Sequence, residues 1–258
     1  MENKLKESQY PIIGVIGGLG PHAGLDFTRK IFTNTKATKD QDHLDCLLVS
    51  CPSVIPDRTT YLLTKEGENP AIGMFSSAKR LHDAGVSYAS VACNTAHAGL
   101  IFSPFCEMVK KFLPGLTIVN MLETCAAYCK NIKRIGLLAT IGTHNSRVYQ
   151  EYFSENNNFE LLEPDSEGQK IIHDVIFNEK YGIKAHSDEI DPIVSERIGV
   201  EIQKFVDRGA EAVILGCTEL PLAVKPSNFT VPLVDAGLVT ARKLIELAAP
   251  HKLVEEKQ

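Results

Sequence analysis

Two cysteines in this chain occupy closely matched settings. Ser87 to Ala92 is a short run of small and β-branched residues that reads as a strand and ends directly at Cys93. Asn94 and Thr95 follow, then a helix-like stretch from Ala96 to Ile101. The run Glu211-Ala212-Val213-Ile214-Leu215-Gly216-Cys217-Thr218-Glu219 has the same form: strand, thiol, threonine, turn. Open α/β sheets bind their ligands at the carboxyl ends of the strands. The first N–H groups of a following helix lower a thiol's pKa there. Two thiols so placed suit a pair acting on one substrate from opposite sides.

The other five cysteines lack these features. Cys46, Cys106, Cys125 and Cys129 read as core residues, the ordinary fate of a free cysteine. Cys125 and Cys129 lie four apart on a helix, with no further Cys or His at ligand spacing, so no metal site is expected. Cys51 follows a strand but has no twin. Seven cysteines, an odd count without tight spacing, point to reduced thiols in the cytoplasm. A net charge of −5 argues against nucleic acid as a partner. No apolar run approaches the ~18 residues of a membrane span, and the first ten residues lack a secretory core. A hydrophobic content of 44% against 23% charged residues is globular, with disorder expected only in the first nine and last six residues.

The elements that must hold the thiols recur in two rounds. Ile12–Ile16 reads as a strand closed by Gly17-Gly18-Leu19-Gly20-Pro21, with a helix from Asp26 to Thr35. Cys46–Ser50 is a second strand, and a helix from Pro70 carries Ile72, Phe75, Ala78 and Leu81 on one face. In the second round Arg134–Thr140 echoes the opening strand. A helix lies around Ile171–Phe177, and a longer one carries Val194, Ile198, Ile202 and Phe205. Ile13 to Cys93 is 80 positions, and Ile135 to Cys217 is 82. This agreement predicts two similar α/β lobes with parallel sheets. Residues 1–120 form the first, carrying Cys93, and residues 121–236 the second, carrying Cys217. Residues 237–258 supply a C-terminal helix that returns to the first lobe.

Gly18-Leu19-Gly20-Pro21-His22-Ala23 formally fits a dinucleotide-binding pattern. Pro21, however, removes an N–H from the phosphate-binding turn, and no strand-ending acid follows about 20 residues on. A tight turn whose N–H groups line a small anion pocket is the better reading. Arg58, on a stiff loop among Pro56, Asp57 and Thr59, offers a planar fork to a carboxylate. Lys180 and Lys184 are candidates for a second cation. His97 either packs in the core or stands behind Cys93 as a partner, and the second is favoured.

Four motifs in this order resemble the aspartate/glutamate racemase family, most nearly its aspartate racemase branch. They are Gly17-Gly18-Leu19-Gly20-Pro21, Ile55-Pro56-Asp57-Arg58-Thr59, Cys93-Asn94-Thr95-Ala96-His97 and Gly216-Cys217-Thr218-Glu219-Leu220-Pro221-Leu222. The resemblance implies two α/β lobes with the active site in the cleft between them, no cofactor, an amino-acid substrate and a homodimer. It also implies Cys93 and Cys217 as the acid/base pair and Arg58, assisted by Lys180, as the binder of the side-chain carboxylate. Asn94, Thr95, Thr143 and Thr218 fall where the family holds the α-carboxylate and amino group, and Gly18 where its turn meets the substrate. The chain departs from the family pattern at Gly24, at Val234-Asp235-Ala236-Gly237 and in the length of the loop before Lys180. The expected activity is interconversion of L- and D-aspartate, with glutamate or a broader set not distinguished. A two-cysteine isomerase of a dicarboxylate, and a non-catalytic protein that binds an acidic amino acid, are the alternatives.

Overall fold

A computed structural model describes residues 8–154 and 159–255. In the first lobe β1 (Ile12–Gly17) is followed by α1 (Pro21–Thr33), β2 (Cys46–Ser50), α2 (Arg58–Thr64) and α3 (Pro70–Asp83). Next come β3 (Val86–Val91), α4 (Gly99–Phe112) and the short β4 (Thr117–Ile118), and α5 (Met121–Tyr128) leads out. The second lobe opens with β5 (Arg134–Ala139), α6 (Ile141–Ser146) and α7 (Val148–Ser154), then β6 (Glu160–Leu162) and α8 (Ser166–Phe177). It continues through α9 (Pro192–Asp207), β7 (Ala212–Gly216), α10 (Leu220–Ala223), β8 (Leu233–Asp235) and α11 (Ala236–Ala248).

The strands form two four-stranded sheets, ordered β2-β1-β3-β4 and β6-β5-β7-β8, and every pairing is parallel. The two sheets are therefore the same topology used twice, with the strand before each cysteine beside the lobe's opening strand. Gly14 and Gly136 hold matching places in the opening strands for a packing reason. A Cβ on Gly14 would lie 2.8 Å from a Val86 methyl, and one on Gly136 would lie 2.6 Å from the Phe205 ring.

One apolar cluster runs between the sheets. It joins Ile13 and Val15 of β1 to Ile135 and Leu137 of β5 through Leu122 and Cys125 of α5 and Leu244 and Ile245 of α11. Further clusters fill the outer face of each lobe. α11 packs against α1 and α5 and contributes to the cluster between the sheets. Among the described residues no helix is long and apolar enough to cross a membrane.

Several local readings change. α1 starts at Pro21 rather than Asp26, because proline at the first helical position costs no hydrogen bond. The inward stripe of α3 is Ala71, Met74, Ala78 and Leu81, while Ile72 is 48% exposed. Residues 96–101 are not one helix: a 3₁₀ turn over Thr95–His97 ends before α4 begins at Gly99. The C-terminal segment is paired as far as the structure describes it, with Leu253 bridging Thr35 and Val254 N–H donating to the Asn34 carbonyl at 2.9 Å. The disorder expected for residues 1–7 and 256–258 lies outside the described residues.

Gly18 occupies the left-handed region, φ +86°, and a Cβ there would lie 2.8 Å from the Cys51 backbone nitrogen. Gly115 has φ +93° with nothing within 4 Å. Gly18→Ala should therefore cost about 1–3 kcal/mol of stability, more than Gly115→Ala, in urea unfolding. Equal losses would mean that the dihedral alone, and not the close approach, requires glycine at this turn.

Candidate active site

The carboxyl ends of the two sheets meet at a closed cavity. Leu19, Asp57, Arg58, Thr59, Cys93, Asn94, Thr95, Thr140, Phe177, Lys184, Cys217, Thr218 and Glu219 line it. Its free volume is about 10 Å³, room for about one water. Both cysteines reach it because each sits just past a central strand, two residues after β3 and one after β7. Both are nearly inaccessible, at 6% and 5% exposure.

The polar groups around Cys93 come from both lobes. Thr95 Oγ1 is 2.8 Å from Thr143 Oγ1 and 3.1 Å from Thr140 Oγ1. Thr140 is placed by its second task, capping α6 by accepting from the Thr143 N–H. The Tyr149 hydroxyl donates to Asn94 Oδ1 at 2.6 Å, which leaves the buried Asn94 Nδ2 without a hydrogen-bond partner among the described residues. From the other side, the Thr218 hydroxyl donates to the Ala92 carbonyl at 3.3 Å.

His97 stands directly behind Cys93. Its Nδ1–H donates to the Cys93 carbonyl at 2.8 Å, and its Nε2 accepts the Met121 N–H at 3.2 Å. The two bonds fix a single neutral tautomer. Burial drives its pKa down to about 4, against the smaller upward pull of the Cys93 and Asn94 carbonyls.

Cys217 is held as a thiol. Its Sγ–H donates to Glu219 Oε2 at 3.0 Å. Burial pushes its pKa well above the usual thiol value, the Glu219 charge adds to this, and Lys184 opposes it without prevailing. The sequence pointed the other way, to thiols favoured as thiolates by helix N-termini. The reason is the burial of Cys217 and the Glu219 charge beside it, with only the four residues of α10 beyond to supply a helix N-terminus.

The cations are Arg58 and Lys184. Arg58 is the first residue of α2, not part of a loop, and Asp57 caps that helix by accepting the Thr60 N–H at 2.7 Å. Its guanidinium donates to the Leu19 carbonyl and, at 3.1 Å, to the Pro56 carbonyl. Lys184 pairs with Glu219. Burial would lower the Lys184 pKa, but the Glu219 and Cys217 charges outweigh it and raise the value. Burial likewise pushes Glu219 up, but Lys184, with the Cys217 hydrogen bond and the Arg58 charge, more than reverses it, so the carboxylate titrates below its ordinary range.

Two expectations change at the site. Lys180 is exposed, and its backbone N–H donates to Asn178 Oδ1 at 2.9 Å. The chain after α8 folds back, with Ile183 N–H bonded to the Val175 carbonyl and Lys184 N–H to the Ile176 carbonyl, so it is Lys184 that enters the cavity. Gly18 is not a lining residue: it lets the turn form, and the next residue presents its carbonyl, not an N–H, to Arg58 and Lys184. Glu219 was visible in the second cysteine motif but had no evident role, because its partner Lys184 is distant in sequence. Arg58, Asn94, Thr95 and Thr218 line the cavity, and Thr143 bonds Thr95. Among the described residues no group of three or more His, Cys, Asp or Glu is arranged to hold a metal ion.

The family described as Asp/Glu/hydantoin racemase matches over residues 16–244. The broad specificity amino-acid racemase RacX of Bacillus subtilis (strain 168) is 23% identical over 242 residues, 91% of this chain and 96% of the relative. Among solved structures, the Picrophilus torridus aspartate racemase is 27% identical with a TM-score of 0.78, covering 95% of this chain and 96% of that one. An aspartate racemase homologue from Pyrococcus horikoshii OT3 is 26% identical with a TM-score of 0.69, covering 91% and 97%.

His97 carries a pH prediction. An unfolded histidine takes up a proton below about pH 6.5, while the folded one does so only near pH 4. Stability contributed by the neutral ring is complete above pH 6.5 and is lost as pH falls towards 4. Between pH 7 and 4 the wild-type protein should lose about 3 kcal/mol more unfolding free energy than His97→Asn. Parallel losses in urea titrations at the two pH values would show that His97 is not held neutral.

Proposed function

This chain belongs to the Asp/Glu/hydantoin racemase family, and we propose that it interconverts L- and D-aspartate with Cys93 and Cys217 as its two acid/base groups. The observation that carries the reading is the convergence of these cysteines, from matching positions of two repeated lobes, on one cavity that also holds two cations. Racemisation breaks the Cα–H bond on one face of the substrate and forms a new one on the other. One group must enter as thiolate and the other as thiol. Cys217, bonded to Glu219 and raised by burial, supports the role of thiol in the resting enzyme. Cys93 as thiolate then takes the Cα proton, and Cys217 delivers its own to the opposite face. The two cysteines have exchanged states, ready for the reverse direction.

The carbanion between these steps needs fixed dipoles aimed at the α-carboxylate. The unpartnered Asn94 Nδ2 and the hydroxyls of Thr95, Thr143 and Thr218 suit that task. Arg58 and Lys184 suit the distal carboxylate. In this reading the enzyme works in the cytoplasm as a homodimer and needs no cofactor.

Cys93→Ala and Cys217→Ala should each lower the rate of racemisation at least ~1,000-fold while leaving the circular dichroism unchanged. Each should still exchange the Cα proton of a single enantiomer with deuterium, because one base survives. Chiral chromatography and mass spectrometry read both. Racemisation near the wild-type rate in either variant would sink the two-base mechanism.

A further inference from the structure

Glu219 is the cavity's buried, ion-paired carboxylate, at 3% exposure. Its oxygens have separate partners. Oε1 is ion-paired with Lys184 Nζ, while Oε2 accepts from Cys217 Sγ at 3.0 Å and lies 3.3 Å from Thr218 Oγ1, whose one proton it shares with the Ala92 carbonyl. The pair lies against the first lobe: a Cβ on Gly20 would come within 2.8 Å of Oε1 and 3.5 Å of Nζ. The other charged lining groups are Arg58, bonded to the Leu19 and Pro56 carbonyls, and Asp57, engaged at the start of α2.

A carboxylate lying on Lys184, beside the thiol of Cys217, is the arrangement an acidic amino acid would itself adopt here. With about 10 Å³ of free volume, a four-carbon diacid cannot be added to this cavity. Opening the lobes makes room for the carbon chain, but it does not give a second carboxylate a cation of its own on Lys184. We propose that Glu219 is a displaceable stand-in for the substrate's distal carboxylate: a diacid takes Lys184 from Glu219 as it binds, whereas a substrate with an uncharged side chain binds with the Lys184–Glu219 pair intact. Glu219 is thereby a specificity-determining residue. It keeps Lys184 compensated when an uncharged side chain is bound, since a buried cation stripped of its partner is strongly unfavourable. It also competes with every diacid. The proposal rests on the racemase reading for the identity of the substrate, but not for the binding event.

The test uses succinate and butyrate, four-carbon ligands that differ by one carboxylate and lack the amino group, so neither is turned over. Isothermal titration calorimetry gives the ratio of their dissociation constants for wild-type protein and Glu219→Gln. The ratio in favour of succinate should rise about tenfold or more in Glu219→Gln. An unchanged or lower ratio, or no measurable succinate binding to the variant, overturns the proposal. An effect of the substitution on overall stability bears on both ligands alike, and any added thiolate at Cys217 repels the dicarboxylate more, so it cannot produce the expected rise in the ratio. A measurement on the wild-type protein covers the case in which the variant fails to fold. The ¹³Cδ resonance of Glu219, followed through a pH titration, should shift its midpoint upward with succinate bound and not with butyrate. The same midpoint with both ligands overturns the proposal. Failure of the wild-type protein to racemise any amino acid would count against the racemase reading alone.

Discussion

The site depends on a seam of hydroxyls and amides that joins the two sheets at their carboxyl ends. Thr95 of the first lobe meets Thr140 and Thr143 of the second, Tyr149 reaches back to Asn94, and Thr218 reaches the Ala92 carbonyl. Gly142 completes the closure, because a Cβ there would come within 2.7 Å of the Thr59 hydroxyl. Asn94, Thr95 and Thr218 are a residue or two from a cysteine, and Thr140 caps α6. Buried hydroxyls left unpaired cost about 1–3 kcal/mol each, so the lobes close on one another and set the thiols at one cavity. The same hydroxyls are the groups that would hold an α-carboxylate in the proposed reaction.

A second joint between the lobes is ionic. Lys30 of α1 lies 2.5 Å from both Asp26 and Asp235, the latter at the end of β8 and the cap of α11. Removing one partner of such a buried group is far more costly than losing a single neutral hydrogen bond. α11, packed on α1 and α5, reinforces that joint with apolar contact. The two lobes are thus held by charge and core at one joint and by neutral hydrogen bonds at the site, and the seam is the weaker.

Much of this was legible in the sequence because it rests on local pattern. Buried parallel strands are short apolar runs bounded by glycine, and the matching distances to Cys93 and Cys217 exposed the repeat. What the sequence hid was decided by tertiary partners. α2 is short and threonine-rich, so the Asp57 cap was its main signal and Arg58 read as a loop residue. On α3 two apolar stripes compete, and the packing of Met74 and Leu81 beneath the first lobe decided between them. Lys184 rather than Lys180 enters the site because Gly182 folds onto Asn178, where a Cβ would come within 2.5 Å of backbone. The state of Cys217 follows from burial and from the charge of Glu219, which Lys184 holds ionised from a distant part of the chain.

The central claim is that Cys93 and Cys217 act on opposite faces of one substrate carbon. Its most direct test is the fate of deuterium during the first turnovers of wild-type enzyme on L-aspartate in D₂O. With one thiol on each face, the D-aspartate formed carries deuterium at Cα while the L-aspartate recovered at the same time retains protium. Deuterium appearing in recovered L-aspartate as fast as in D-aspartate, or D-aspartate that keeps the original proton, would mean that one base serves both faces and would contradict the account.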